Sequence, residues 1–253
     1  MTAGSIRIGI GGWNYEPWRG SFYPQGLPQK RELEYAAAHL TAIEINATYY
    51  GSQKPASFTK WAETAPHGFQ FSLKASRFTT VRKVLAEGGE SIERFLLQGF
   101  SEMGEKLGPI LWQFREGKRF ELDDFAHFLD LIPDAQNGVK LRHAIEVRHE
   151  SFQDPVFFDL ARARNIAVVY AESDEFPCIA EQTADFTYAR LQRSIENCPT
   201  GYDDASLDHW DGQVRQWSED GRDVYLFFIA GAKVRNPAAA MALIQRSNGN
   251  KRD

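Results

Sequence analysis

The sequence predicts an α/β protein, a single-domain TIM-type (β/α)8 barrel over residues 1–253. Three observations carry that prediction. Short apolar strands recur eight times, amphipathic helical stretches separate them, and 253 residues is the length that eight strand–helix repeats require. The predicted strands are Ile6–Ile10, Ala42–Asn46, Phe69–Lys74, Ile110–Phe114, Ala144–Arg148, Ala167–Tyr170, Thr187–Gln192 and Val224–Phe228.

The intervening segments show helical periodicity. Arg31–Leu40 carries Leu33, Ala36, Ala37 and Leu40 on one face. Ser91–Leu107 carries Phe95, Leu96, Phe100, Met103 and Leu107, and Asp123–Ile132 carries Phe125, Phe128, Leu129 and Ile132. Lys54-Pro55, Asp154-Pro155 and Asn236-Pro237 put proline in a first helical turn, with Asp154 and Asn236 as expected caps. A doubly wound sheet would announce itself after the first strand with three spaced glycines. Gly9-Ile10-Gly11-Gly12-Trp13-Asn14 lacks the third, and Trp13, Tyr15, Pro17 and Trp18 stand where a helix would open. No linker or charge block divides the chain.

Alternation along the strands decides what faces the barrel axis. Ile43 and Ile45 oppose Glu44 and Asn46; Phe69, Phe71 and Leu73 oppose Gln70, Ser72 and Lys74. Trp112 and Phe114 oppose Leu111 and Gln113, Ile145 and Val147 oppose Glu146 and Arg148, and Ala189 and Leu191 oppose Tyr188, Arg190 and Gln192. The apolar sets must meet the surrounding helices, so the polar sets face inward. Most barrel interiors are layers of branched apolar residues. Here Glu44, Lys74, Glu146, Arg148 and Arg190 point inward near the C-terminal strand ends, two carboxylates against three cations. A paired charge plug is the structural explanation. A ligand site for an anionic or polyhydroxyl molecule is the functional one, favoured by the position at the C-terminal face.

Composition narrows the function classes. Net charge is −5, which disfavours a generally basic nucleic-acid binder but leaves room for a local basic patch. No apolar run reaches a membrane span, and Met1-Thr2-Ala3-Gly4-Ser5 does not open a secretory signal, so no membrane association and a cytoplasmic location are expected. Cys178 and Cys198 read as two free thiols in a reducing compartment. Of the six histidines only His143 and His149 flank a strand, neither in a spaced ligand motif, and the cations beside Glu44 and Glu146 would repel a metal. No metal and no cofactor are expected. A Gly-x-Ser-x-Gly elbow and a phosphate-binding P-loop are both absent from the sequence.

The same residues carry a family resemblance. Gly11-Gly12-Trp13-Asn14-Tyr15 with Trp18-Arg19-Gly20-Ser21-Phe22-Tyr23-Pro24, Ile43-Glu44-Ile45-Asn46-Ala47-Thr48-Tyr49-Tyr50, Phe71-Ser72-Leu73-Lys74-Ala75, Lys106-Leu107-Gly108-Pro109-Ile110-Leu111-Trp112-Gln113-Phe114 and Ile145-Glu146-Val147-Arg148-His149 resemble the motifs of the YecE-like family, the domain of unknown function 72. The resemblance runs from about Ile6 to about Leu191 and implies a TIM barrel without a settled activity. Two stretches depart from it. Gln192-Arg193 stands where the family usually has His-Gly, and Phe227-Phe228-Ile229-Ala230-Gly231-Ala232-Lys233 where it usually has an Asn-rich stretch.

Acid–base chemistry with anion binding is what these residue types permit. Glu44 and Glu146 are candidate general acid and base. Lys74 is a candidate catalytic amine if desolvated near a cation, whereas a salt bridge to Glu44 would keep it protonated and inert. Arg148 and Arg190 suit a carboxylate or phosphate, and Trp13, Tyr15, Asn46, Tyr50, Gln113 and Gln192 are candidate ligand contacts. Arg193 is expected to join Arg148 and Arg190 at the pocket. Gly231, Lys233 and Arg235, leading into Asn236-Pro237, form a phosphate hint beside a helix start. The expected partner is an anionic small molecule, and the leading function a metal-independent acid–base enzyme on a phosphorylated small molecule or nucleotide. The alternatives are a protein that binds single-stranded nucleic acid or processes phosphodiesters, and a non-catalytic barrel with a structural charge network.

Overall fold

The strands all run parallel around the barrel, and the first and last members of the hydrogen-bonded series meet. The structure is a computed structural model and describes residues 3–249. Met1 and Thr2, which belong to the leader reading, lie outside the described residues. The strands are β1 (Ile6–Gly11), β2 (Ala42–Ile45), β3 (Gln70–Lys74), β4 (Leu107–Gln113), β5 (Ala135–Gln136), β6 (Val139–Lys140), β7 (His143–Glu146), β8 (Ala167–Val168), β9 (Tyr170–Glu172), β10 (Phe186–Leu191) and β11 (Asp223–Phe228). The pairing order is β8-β7-β4-β3-β2-β1-β11-β10-β9. Only Val169 separates β8 from β9, so these two act as one broken barrel strand and the ring closes. Val169 itself is buried inside the ring. The small antiparallel β5–β6 hairpin, turning at Asn137 and Gly138 with positive φ at both, lies apart from the barrel sheet.

The helices are α1 (Glu32–His39), α2 (Ala47–Tyr50), α3 (Pro55–Thr64), α4 (Arg77–Thr80), α5 (Gly89–Leu96), α6 (Leu122–Asp130), α7 (Pro155–Ala163), α8 (Asp204–Ser218) and α9 (Asn236–Gly249). Proline opens α3 and α7, and the Asp154 carboxylate accepts the Val156 N–H at 2.9 Å. Asn236 does not cap α9. A 3-10 turn, Lys233–Arg235, runs directly into that helix, and the Asn236 side chain instead bonds Ser194 and the Ala230 carbonyl. The long helix predicted over Ser91–Leu107 ends at Leu96. Gly99 then takes φ 89°, pressed against Pro55, and a 3-10 stretch Phe100–Lys106 leads into β4 three residues earlier than the sequence suggests. Apolar residues at Phe100 and Met103 imitate helical spacing here but are buried from a tighter winding.

Alternation sorts the core into two layers. Ile43, Ile45, Phe71, Leu73, Trp112, Ile145, Ala189 and Leu191 belong to the large cluster shared with the helices. Ala42, Leu111, Ala144, Ala167, Val169, Phe186, Tyr188, Tyr225 and Phe227 form a second cluster inside the ring. The inward layer is thus apolar through its middle, and the charged side chains sit at its two ends. At the N-terminal end Arg142 binds Asp223 at 2.6 Å, and the Tyr225 hydroxyl donates to Gln70 at 2.6 Å. The other end forms the site.

Candidate active site at the C-terminal mouth of the barrel

Parallel register brings the C-terminal ends of the strands to one level. Gly11 lies beside Glu44, Lys74 beside Leu111, Gln113 beside Glu146, and Arg190 between Ala171 and Phe227. At this level Arg190 is 2% exposed and lies between two buried carboxylates. Its Nε donates to Glu44 Oε2 at 3.0 Å and its Nη2 to Glu44 Oε1 at 3.1 Å, while its Nη1 donates to Glu146 Oε2. This fork geometry is why arginine suits the position. Tyr188 donates to Glu44 Oε2 at 2.8 Å and shares a 2.7 Å hydrogen bond with Ser72, whose hydroxyl reaches the Pro109 carbonyl. Glu146 Oε1 accepts from Gln113 at 2.8 Å and from Arg148 Nε at 2.9 Å.

The electrostatics follow. Burial pushes the Glu146 carboxyl up, but Arg190, Arg148 and Lys74 together outweigh it and hold the group below the usual carboxylate range. Burial likewise opposes the charge on Arg190, and the two carboxylates more than restore it. Burial and the neighbouring Glu44 carboxylate push the Tyr188 phenol well above its ordinary value, so it remains a donor. Glu146 is therefore a fixed anion at neutral pH, and both carboxylates hold Arg190 in place. The acid–base pair expected from the sequence is a clamp in the structure.

Lys74 does not make the expected salt bridge to Glu44. Arg190 and Tyr188 occupy that carboxylate, and the Lys74 amine stands 4.2 Å from the centre of the Tyr49 ring. Lys74 is 8% exposed, at the wall of the cavity. Burial and then the Arg190 cation lower its pKa from 10.5 to about 8, against a partial rise from Glu44 and Glu146. It is the charge left over when two carboxylates meet three cations.

Above this floor opens a cavity of about 510 Å³. Nine of the eleven sequence-derived site residues line it: Trp13, Tyr15, Asn46, Tyr50, Lys74, Gln113, Arg148, Arg190 and Gln192. Glu44 and Glu146 lie beneath, out of the lining. Trp13 packs edge-on against Trp61, and Tyr15 against Trp18, so the first loop is anchored while its outer rings face the opening. Trp18, Phe22 and Tyr23 are buried and belong to the core. Lys233, exposed at the rim, lies over the Tyr15 ring at 4.2 Å, and partial desolvation lowers the pKa of its ammonium. The Gln192 amide nitrogen is buried without a partner among the described residues. Arg148 lies over the Phe176 ring at 4.3 Å.

Two expectations fail in detail, and one residue was missed. Arg193 turns away to Asp174 at 2.7 Å and lines a separate depression with Tyr170 and Glu172. Arg235 donates to the Glu196 carbonyl instead of facing the cavity. Phe176, on the loop after β9, has no strand pattern that announces it. As for the strand-flanking histidines, His143 is buried outside the ring between Trp112 and the Pro133 carbonyl, and burial lowers it to about 4. His149 accepts the Ser151 N–H. Among the described residues no three His, Cys, Asp or Glu converge as a metal-holding group, and no helix is long and apolar enough to cross a membrane.

Comparison with known proteins gives the fold a family. The profile described as "Protein of unknown function DUF72" matches residues 7–253. The chain belongs to the DUF72 family. A DUF72 family protein of Thermotoga maritima superposes with a TM-score of 0.75 at 23% identity, covering 98% of this chain and 100% of that one. A DUF72 family protein of Enterococcus faecalis gives a TM-score of 0.75 at 17% identity, covering 96% and 95%. At those identities the likeness is one of fold. The UPF0759 protein YunF of Bacillus subtilis is 31% identical over 70 residues, which is 28% of this chain and 24% of that protein. The family match extends through Gln192-Arg193 and through the segment after β11.

Proposed function

We propose that this barrel is an enzyme that binds an anionic small molecule, phosphorylated or a nucleotide, and moves a proton on it without a metal. The observation that carries the reading is the Lys74 amine at the wall of the mouth, which has no carboxylate partner among the described residues. A group with a pKa of about 8 can both give and take a proton near neutral pH. The Arg190 clamp holds a permanent cation beside it, Arg148 and Lys233 supply positive charge at the rim, and Trp13, Tyr15 and Tyr50 offer faces for a ring. The expected proton carriers Glu44 and Glu146 act here as positioning groups for Arg190.

A second reading has its own observation. A groove of about 1050 Å³ carries Arg82, Lys83, Arg115, Lys118, Arg119 and Arg148 against Glu116 and Glu121, and shares Arg148 with the mouth. Lys118 is paired with Asp124, and Arg82 is engaged by backbone carbonyls, while Lys83, Arg115 and Arg119 are exposed. A single-stranded nucleic acid crossing this groove would bind through its phosphates.

One screen tests both. Thermal melts with sugar phosphates, nucleoside monophosphates and their unphosphorylated counterparts are expected to show a rise with phosphorylated compounds alone, reduced in Lys233→Ala. A fluorescent single strand is expected to bind weakly and lose affinity steeply with salt. Equal melts with phosphorylated and unphosphorylated compounds would sink the first reading. Tight single-strand binding lost in Arg115→Ala would put the second in its place.

A further inference from the structure

We propose that Lys74 is a covalent catalytic residue whose amine condenses with the carbonyl group of an anionic aldehyde or ketone held in the mouth. The inference rests on the anion-binding reading above and names its substrate class. Three observations support it. First, Lys74 has no carboxylate within ion-pair reach among the described residues, because Arg190 and Tyr188 hold Glu44 and three donors hold Glu146. Second, burial and the cations Arg190 from β10 and Arg148 just beyond β7 bias it toward the neutral amine, and they outweigh Glu44 from β2, Glu146 at the end of β7 and the Tyr49 ring from α2, which favour the ammonium. Third, the mouth carries a polar group that the fold leaves idle. The Gln192 amide nitrogen, on a side chain that lines the mouth, is buried without a partner among the described residues and can donate to an oxygen of the bound molecule.

A nucleophilic lysine must be neutral for part of the time and shielded from water, and an adjacent cation supplies that bias. The step balances. The Lys74 nitrogen lone pair attacks the carbonyl carbon, a C–N bond forms, and the C=O π pair moves to oxygen. That oxygen takes the proton released by nitrogen, then a second proton from solvent, and leaves as water. An iminium ion remains on Lys74, and its positive charge replaces that of the ammonium, so the surrounding clamp meets no change in net charge. No oxidant or reductant enters until the trapping reagent is added.

The test uses pyridoxal 5′-phosphate, an anionic aldehyde, on the full-length protein at pH 8, followed by borohydride and peptide mass mapping. Pyridoxal without the phosphate is run beside it. The expected result is a reduced adduct on Lys74, about one per chain, formed in preference to the exposed Lys83 and protected by inorganic phosphate. Lys74→Arg and Lys74→Met, checked for folding by circular dichroism, are expected to lose that adduct. Adducts spread over surface lysines without preference for Lys74 would overturn the covalent step. If phosphorylated compounds still raise the melting temperature in that case, the anion-binding reading stands without it. If they do not, both fall.

Discussion

Replacing Arg190 by alanine is expected to cost the fold about 3–5 kcal/mol at pH 8, lowering the melting temperature by roughly 10 °C. The side chain is buried and makes three of the hydrogen bonds that satisfy Glu44 and Glu146. Its loss leaves two buried carboxylates with Tyr188, Gln113 and Arg148 as remaining partners, and Glu44 without a cation in contact. The pH dependence should invert as well. In the intact protein Glu146 is held below the ordinary carboxylate value, so its contribution is present above about pH 4.3 and is lost as pH falls through the lower folded value. In Arg190→Ala the largest cation opposing burial is gone and the Glu146 carboxyl rises, so the folded state gains a proton and the deficit narrows as the pH drops to 5. Urea melts at pH 5 and pH 8 measure both effects. A loss under about 1 kcal/mol at pH 8 would mean that Arg190 does not hold the carboxylates.

Lys74→Met is expected to do the opposite: stabilise the protein and abolish its response to anionic ligands. Lowering a lysine from 10.5 to about 8 costs the native state about 3 kcal/mol at neutral pH. Between those values the unfolded chain holds the extra proton, so wild-type stability rises with pH across that window. Methionine fills a similar volume without the charge. The variant should therefore melt roughly 6–12 °C higher below pH 8, with the advantage gone above about pH 10.5. A buried cation that costs stability is a mark of function more than of architecture. A destabilised Lys74→Met would show that the amine is structural.

Much of this arrangement is legible in the strands. Period-two alternation identifies the inward set, and with parallel register it places Glu44, Lys74, Glu146 and Arg190 at one end. What alternation does not carry is which cation takes which carboxylate. Arg190 wins both because one planar fork spans groups three strand positions apart, and a lysine ammonium cannot. Lys74 is thereby released, against the simpler pairing with Glu44. Loop residues are the other blind spot. Phe176 reaches Arg148, and Arg193 reaches Asp174, through chain paths that have no periodicity. The helix predicted to Leu107 fails for a local reason, since Gly99 takes a left-handed conformation that ends the winding.

The most direct test is an NMR titration of the lysine side chains in protein carrying carbon-13 lysine, with Lys74→Met to assign the resonance. Lys74 is expected to titrate near pH 8 and to move upward when inorganic phosphate enters the mouth, because a neighbouring anion favours the ammonium. A titration near the ordinary lysine value of about 10.4, unmoved by phosphate, would contradict it.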